Sequence, residues 1–187
     1  MESDAHLSPM VPTAPPGNYP RSAEQWVKLD TGERIFLRPI IPEDVERIVH
    51  AFEVADVESI RRRFFTAAPP SDRQHLEYLA NVDYVARYAL LACDEHGNSV
   101  GIGRYERTGE SAAEVAIVVE ASWRTKHVGS ILLTALEPVA LHNGITELVA
   151  VFMPENLPVD RLLASLGYGD RHIEDGIVRV TKALGDQ

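Results

Sequence analysis

The spacing of apolar residues along this chain changes several times, and each change marks an element. Residues 26–30 (WVKLD) and 34–40 (RIFLRPI) flank Thr31-Gly32-Glu33 and read as two strands joined by a hairpin turn. Pro39 and Pro42 close the second strand, and Pro42 suits the first turn of a helix. From there Val45, Ile48, Val49, Phe52 and Ala55 recur at helical spacing. A second helix is expected over 56–65, broken by Pro69-Pro70. Ser71 is expected to cap a third that runs through Asn81, with His75, Leu76 and Leu79 along one side. Residues 85–94 and 100–106 read as a strand pair around Glu95-His96-Gly97-Asn98, and 113–120 as a further apolar strand.

The second half alternates helix and strand. Residues 129–142 are helical, with Ile131, Leu132, Leu136 and Val139 on the buried side and Asn143-Gly144 as the stop. Pro138 predicts a kink there. A strand over 147–153, a helix over 157–166 ended by Gly167, and a closing hairpin over 173–183 around Asp175-Gly176 complete the chain. This order predicts an α/β (α+β) fold with a mixed sheet, antiparallel in its front half, and one crossover helix. Residues 1–23 are rich in proline and lack periodicity, so they read as a disordered tail before a single domain over 24–187.

Composition narrows the function classes. A length of 187 residues with 45% hydrophobic and 25% charged content fits one ordinary globular domain. No apolar run approaches the length that spans a bilayer, and the first twenty residues lack the apolar core of a secretory signal. The one cysteine, Cys93, precludes an internal disulfide and suggests a reducing, cytoplasmic compartment; its apolar strand suggests a buried small hydrophobe. A net charge of −10 argues against nucleic acid as partner. Histidines stand at no ligand spacing, so no metal is expected. Neither a Gly-x-Ser-x-Gly elbow nor a Gly-x-x-x-x-Gly-Lys phosphate loop is present. Against this acidic background two basic clusters stand out: Arg61-Arg62-Arg63, and Arg124 with Lys126 and His127.

The second cluster lies where the 113–120 strand runs into the helix that opens at Val128-Gly129. The first N–H groups of a helix have no intrahelical acceptor and carry the positive end of its dipole, so they bind anions. Gly129 removes a side chain from the approach, Ser130 adds a hydroxyl, and Arg124 and Lys126 add charge. An ordinary strand–helix connection with solvated cations is equally consistent with these features.

Arg124-Thr125-Lys126-His127-Val128-Gly129 resembles the Gln/Arg-x-x-Gly-x-Gly/Ala signature of the GNAT superfamily of N-acetyltransferases. The resemblance extends over roughly 33–180. RIFLRPIIPEDVERI is similar to the family's opening strand and helix, while Asn156 and LASLGY are similar to its later Asn and Leu-Gly-Phe/Tyr helix ending. It implies a mostly antiparallel GNAT-like sheet flanked by helices. It also implies a turn whose backbone N–H groups hold the pyrophosphate of acetyl-CoA, and a strand at 117–119 that pairs with the pantetheine arm. The implied cofactor-binding positions are Ile117, Val118, Val119, Arg124, Lys126, His127, Val128, Gly129, Ser130 and Asn156. His127 replaces the first glycine of the motif. At positive φ it costs on the order of 1 kcal/mol and crowds the pyrophosphate. At negative φ it offers a donor or a charge. In a third reading it points to solvent while backbone amides bind.

The implied reaction is direct attack of an amine on the thioester, for which a general base is worth roughly 10²–10⁴-fold. Glu114 matches a glutamate that serves as base in some family members, including bacterial protein-lysine acetyltransferases; the alternative is a solvated strand-end carboxylate. Family members often place a tyrosine in the helix before Leu166-Gly167-Tyr168 to protonate the thiolate, but here that position is Leu163, and Tyr168 is expected to pack in the core. Arg61-Arg62-Arg63 reads as a solvated face bordering the acceptor region. Two functions follow: an acetyl-CoA-dependent N-acetyltransferase acting on a protein lysine or small-molecule amine, or a non-catalytic acyl-CoA sensor on the same fold. Self-association into a homodimer is left open.

Overall fold

The computed structural model describes residues 10–53 and 72–185. Its elements are β1 (Gln25–Lys28), β2 (Arg34–Pro39), α1 (Val45–Glu53), α2 (Arg73–Ala80), β3 (Arg87–Cys93), β4 (Ser99–Arg107), β5 (Ala112–Val119), α3 (Val128–His142), β6 (Glu147–Phe152), α4 (Leu157–Ser165), β7 (Gly169–Glu174) and β8 (Ile177–Ala183). They build one eight-stranded sheet in the order β1-β2-β3-β4-β5-β6-β8-β7. Every neighbouring pair is antiparallel except β5 and β6, which are parallel and joined through α3. The mixed sheet with one crossover helix is therefore as expected. The last hairpin turns on Asp175 and Gly176, both with positive φ (50° and 76°), as its Asp-Gly pair requires.

Helix α3 lies close on the sheet because β4 carries glycines beneath it. A Cβ on Gly103 would stand 2.9 Å from Leu132 Cβ, and one on Gly101 3.1 Å from Leu132 Cδ1. Side chains alternate along a strand, so Ile102, Arg104 and Glu106 face the opposite side, toward α2. Arg104 accordingly donates to the Leu79 carbonyl of α2 at 3.3 Å. The main core sits between α3 and the sheet, with Leu132, Leu133, Leu136 and Ala140 buried against Tyr88, Tyr105, Ala113 and Leu148.

Several local expectations are modified. Asp72, not Ser71, caps α2, accepting from the Gln74 N–H at 3.2 Å; Ser71 and the helix expected over 56–65 lie outside the described residues. Strand β7 starts earlier than the expected hairpin, at Gly169. Part of the segment read as a disordered tail is held against the sheet. Tyr19 is buried with its ring edge-on to Tyr84, Asn18 donates to the Asp83 carbonyl, and Arg38 donates to the Met10 carbonyl at 2.7 Å.

Candidate active site

The site takes its shape from where two neighbouring strands part. β5 pairs with β4 from Ala113 to Val119. Its parallel pairing with β6 has only three rungs, Ala112↔Glu147, Ala113↔Leu148 and Glu114↔Val149. Beyond Glu114 the edge of β5 no longer meets β6, which continues along β8 to Phe152. The backbone of residues 115–119 therefore faces a gap between the two strands. The end of that gap is the start of α3.

Between β5 and α3 the chain makes a short 3₁₀ helix, Ala121–Lys126, and then a single residue in the left-handed region, His127 at φ 62° and ψ 13°. The first helical bond of α3 runs from Ile131 N–H to the His127 carbonyl at 3.0 Å. The N–H groups of Val128, Gly129 and Ser130 precede it and form the positive end of a fifteen-residue helix. The positive φ rules out the negative-φ reading of this position, and the His127 side chain is exposed, as in the reading that points it to solvent. Glycine would occupy that backbone without a Cβ penalty. Substituting His127→Gly is therefore expected to raise stability by roughly 0.5–1 kcal/mol. The check is thermal denaturation, with His127→Ala as the control that should show no such gain.

Each residue singled out in the sequence now has a place. Ile117 and Val119 face α3, in register with Gly103 and Gly101, while Val118 points to the opposite face. Gly129 is buried, and a Cβ there would stand 3.2 Å from both Ile117 Cδ1 and Leu162 Cδ2, so its missing side chain makes room for these neighbours. Val128 is wholly buried in the core and offers the gap only its backbone. Ser130 is half-buried. Arg124 is exposed and its Nε donates to the Val119 carbonyl at 3.2 Å. Asn156 is buried and caps α4, its side-chain oxygen accepting from Val159 N–H. Leu163 and Tyr168 both lie in the core, and burial pushes the Tyr168 phenol upward. Cys93 is fully buried and its thiol is pushed up to about 11 by burial, so it behaves as a core residue. Arg61-Arg62-Arg63 lies outside the described residues.

Glu114 stands half-buried on the last rung before the strands part, on the face toward α2. Its cross-strand neighbour on β4 is Glu106. Tyr78 of α2 donates its phenol hydrogen to Glu106, which holds the phenol above its ordinary range. The Arg87 guanidinium lies over the Tyr78 ring at 4.2 Å. This Tyr78–Glu106 pair was not anticipated from sequence, because 28 residues separate its members and α2 has to fold back over the sheet. Lys126 is also held in an unforeseen way: its Nζ lies 2.7 Å from Glu33 Oε1 and 4.1 Å from the centre of the Trp123 ring. The Trp123 contact had a local signal, an aromatic three residues before a lysine; Glu33 had none.

Residues 34–169 match the acetyltransferase (GNAT) domain family, which is most of the chain. The chain belongs to the GNAT acetyltransferase family. It is 32% identical over 144 residues to the acetyltransferase Pat of Mycolicibacterium smegmatis, covering 75% of this chain and 43% of that protein. Against the acetyltransferase PA5475 of Pseudomonas aeruginosa it is 27% identical over 158 residues, 81% of this chain and 85% of the other. Among solved structures, the GNAT domain of S. lividans PAT superposes with a TM-score of 0.84 at 31% identity, covering 89% of this chain and 99% of that one. The chain thus spans less than half the length of Pat but nearly all of the isolated PAT domain. What the match covers is thus a GNAT acetyltransferase domain. Among the described residues no helix is long and apolar enough to cross a membrane, and no group of three His, Cys, Asp or Glu stands together as metal ligands.

Proposed function

We propose that this domain transfers an acetyl group from acetyl-CoA to a primary amine, with Glu114 as general base. The observation that carries this reading is the position of Glu114 on the last β5–β6 rung, five residues along the same strand from Val119. Five residues of strand span about 17 Å, the kind of separation a pantetheine arm needs between its phosphate and its thioester. With the pyrophosphate on the N–H groups of 128–130, the thioester lies near the head of the gap, beside Glu114. The amine nitrogen then forms its bond to the thioester carbonyl carbon as the carbon–sulfur bond breaks. The amine proton goes to the Glu114 carboxylate, and the departing thiolate takes a proton from water, because Leu163 occupies the position of the expected tyrosine.

The acceptor is a protein lysine or a small-molecule amine, reached from the α2 face that Glu114 shares with Glu106 and Tyr78. A cytoplasmic site of action accompanies this reading, since acetyl-CoA supply and a reduced Cys93 both belong there. The test is release of free coenzyme A when the protein meets acetyl-CoA with panels of lysine peptides and small amines. Release with at least one panel supports the transferase. The second reading, an acyl-CoA sensor, is favoured by Leu163 and by His127 at the glycine position. It expects thermal stabilisation by acetyl-CoA and no coenzyme A release with any amine.

A further inference from the structure

The geometry points to Glu33 as a residue that sets acyl-CoA affinity, by competing with a coenzyme A phosphate for Lys126. This rests on the cofactor reading of the 124–130 turn and adds to it a residue from the far end of the sheet. Glu33 closes the β1–β2 hairpin and is held there from two sides. Its backbone carbonyl accepts from Leu29 N–H at 2.8 Å, and its Oε2 accepts from Thr31 Oγ1 at 2.8 Å. Its other oxygen, Oε1, accepts from Lys126 Nζ at 2.7 Å, a contact across 93 residues of sequence. Lys126 is itself seated over the Trp123 ring. The ammonium is therefore placed by an aromatic face and a carboxylate, immediately before the helix start that receives the phosphate.

The two groups have opposite consequences for a polyanion. Lys126 attracts it, and Glu33 both occupies one of the three ammonium donors and sets a negative charge beside the site. The hydrogen bonds from Lys126 and then from Thr31 hold the Glu33 carboxyl below the usual carboxylate range, so that charge is present at neutral pH. Both side chains are partly exposed, 24% for Lys126 and 43% for Glu33, so water and salt have access to the pair. A phosphate that arrives must share Lys126 with Glu33 or displace it.

Glu33→Gln separates charge from shape, because an amide oxygen still accepts from Lys126. Binding of coenzyme A, followed by calorimetry without any acceptor, should tighten by about two- to fivefold in Glu33→Gln, the range of an exposed ion pair. The gain should shrink at high salt and shrink again in a Lys126→Gln background. Dephospho-coenzyme A identifies the phosphate. A gain that disappears with it assigns the competition to the 3′-phosphate, and one that persists assigns it to the pyrophosphate. Unchanged or weaker binding by Glu33→Gln overturns the inference while leaving the cofactor site standing. Absence of coenzyme A binding by every variant, the parent included, overturns both. An unaltered melting temperature shows that Glu33→Gln keeps the fold.

Discussion

Glu114→Gln is expected to lower kcat/KM for acetyl transfer by about 10²–10⁴-fold while leaving coenzyme A affinity unchanged. The amide is isosteric with the carboxylate but accepts no proton from the attacking amine. The loss should therefore appear in the chemical step and not in donor binding, which the proposed mechanism places at the opposite end of β5. Folding offers no competing explanation. Glu114 is half-buried and its cross-strand neighbour is another carboxylate, Glu106, so removing one charge relieves repulsion between directly opposed like charges. The measurement is steady-state turnover with the best acceptor from the panel, together with calorimetric binding of coenzyme A. Full activity in Glu114→Gln would move the base elsewhere. Glu106 is the next carboxylate on that face, and Glu106→Gln would then abolish the rate.

The second large effect concerns stability. Asp44→Ala is expected to reduce the free energy of unfolding by about 3–5 kcal/mol. Arg38 of β2 and Asp44, at the foot of α1, are both 0% exposed and form a two-pronged pair, Nη1 to Oδ2 at 2.6 Å and Nη2 to Oδ1 at 2.7 Å. The same carboxylate accepts from Ile41 N–H at 2.9 Å and lies 3.4 Å from Arg47 Nε. Arg38 also donates to the Met10 and Pro39 carbonyls, and Arg47 to the Gly97 carbonyl. Removing the carboxylate leaves the buried Arg38 guanidinium without its counter-charge, which costs far more than an intact pair contributes. Chemical denaturation measures it, and a loss below about 1 kcal/mol would contradict this account, since that is the range of exposed pairs. Arg34–Glu95, with both side chains about half exposed, belongs in that range and serves as the control.

What was legible in the sequence was local. Strand and helix periods, the Pro42 helix start, the Asp175-Gly176 turn and the strand–turn–helix at 113–142 all follow from residues within a few positions of one another. Propensity, turn chemistry and hydrophobic spacing act over that distance. The candidate anion site belongs to this class, because a helix start and its adjoining cations are consecutive in the chain. The consequence of His127 was legible only as alternatives; its φ of 62° comes from the sharp turn between the 3₁₀ helix and α3.

Tertiary structure decided the rest, because it depends on which strands become neighbours. The parting of β5 and β6 after Glu114 arises when β6 follows β8 instead, and no local pattern encodes the place where two distant strands separate. The insertion of β8 between β6 and β7 is likewise a property of the whole sheet. Gly129 had a local rationale as an opening for phosphate. Its surroundings, with Ile117 and Leu162 at 3.2 Å from where a Cβ would stand, show close packing of the protein there. Lys126 was legible as added charge at the turn, and only the folded sheet brings Glu33 to within 2.7 Å of it. The sequence by itself determined most of the elements and the basic turn at the start of α3; the packing of the sheet decided which charges stand beside that turn and where β5 and β6 part, because both depend on which distant strands become neighbours.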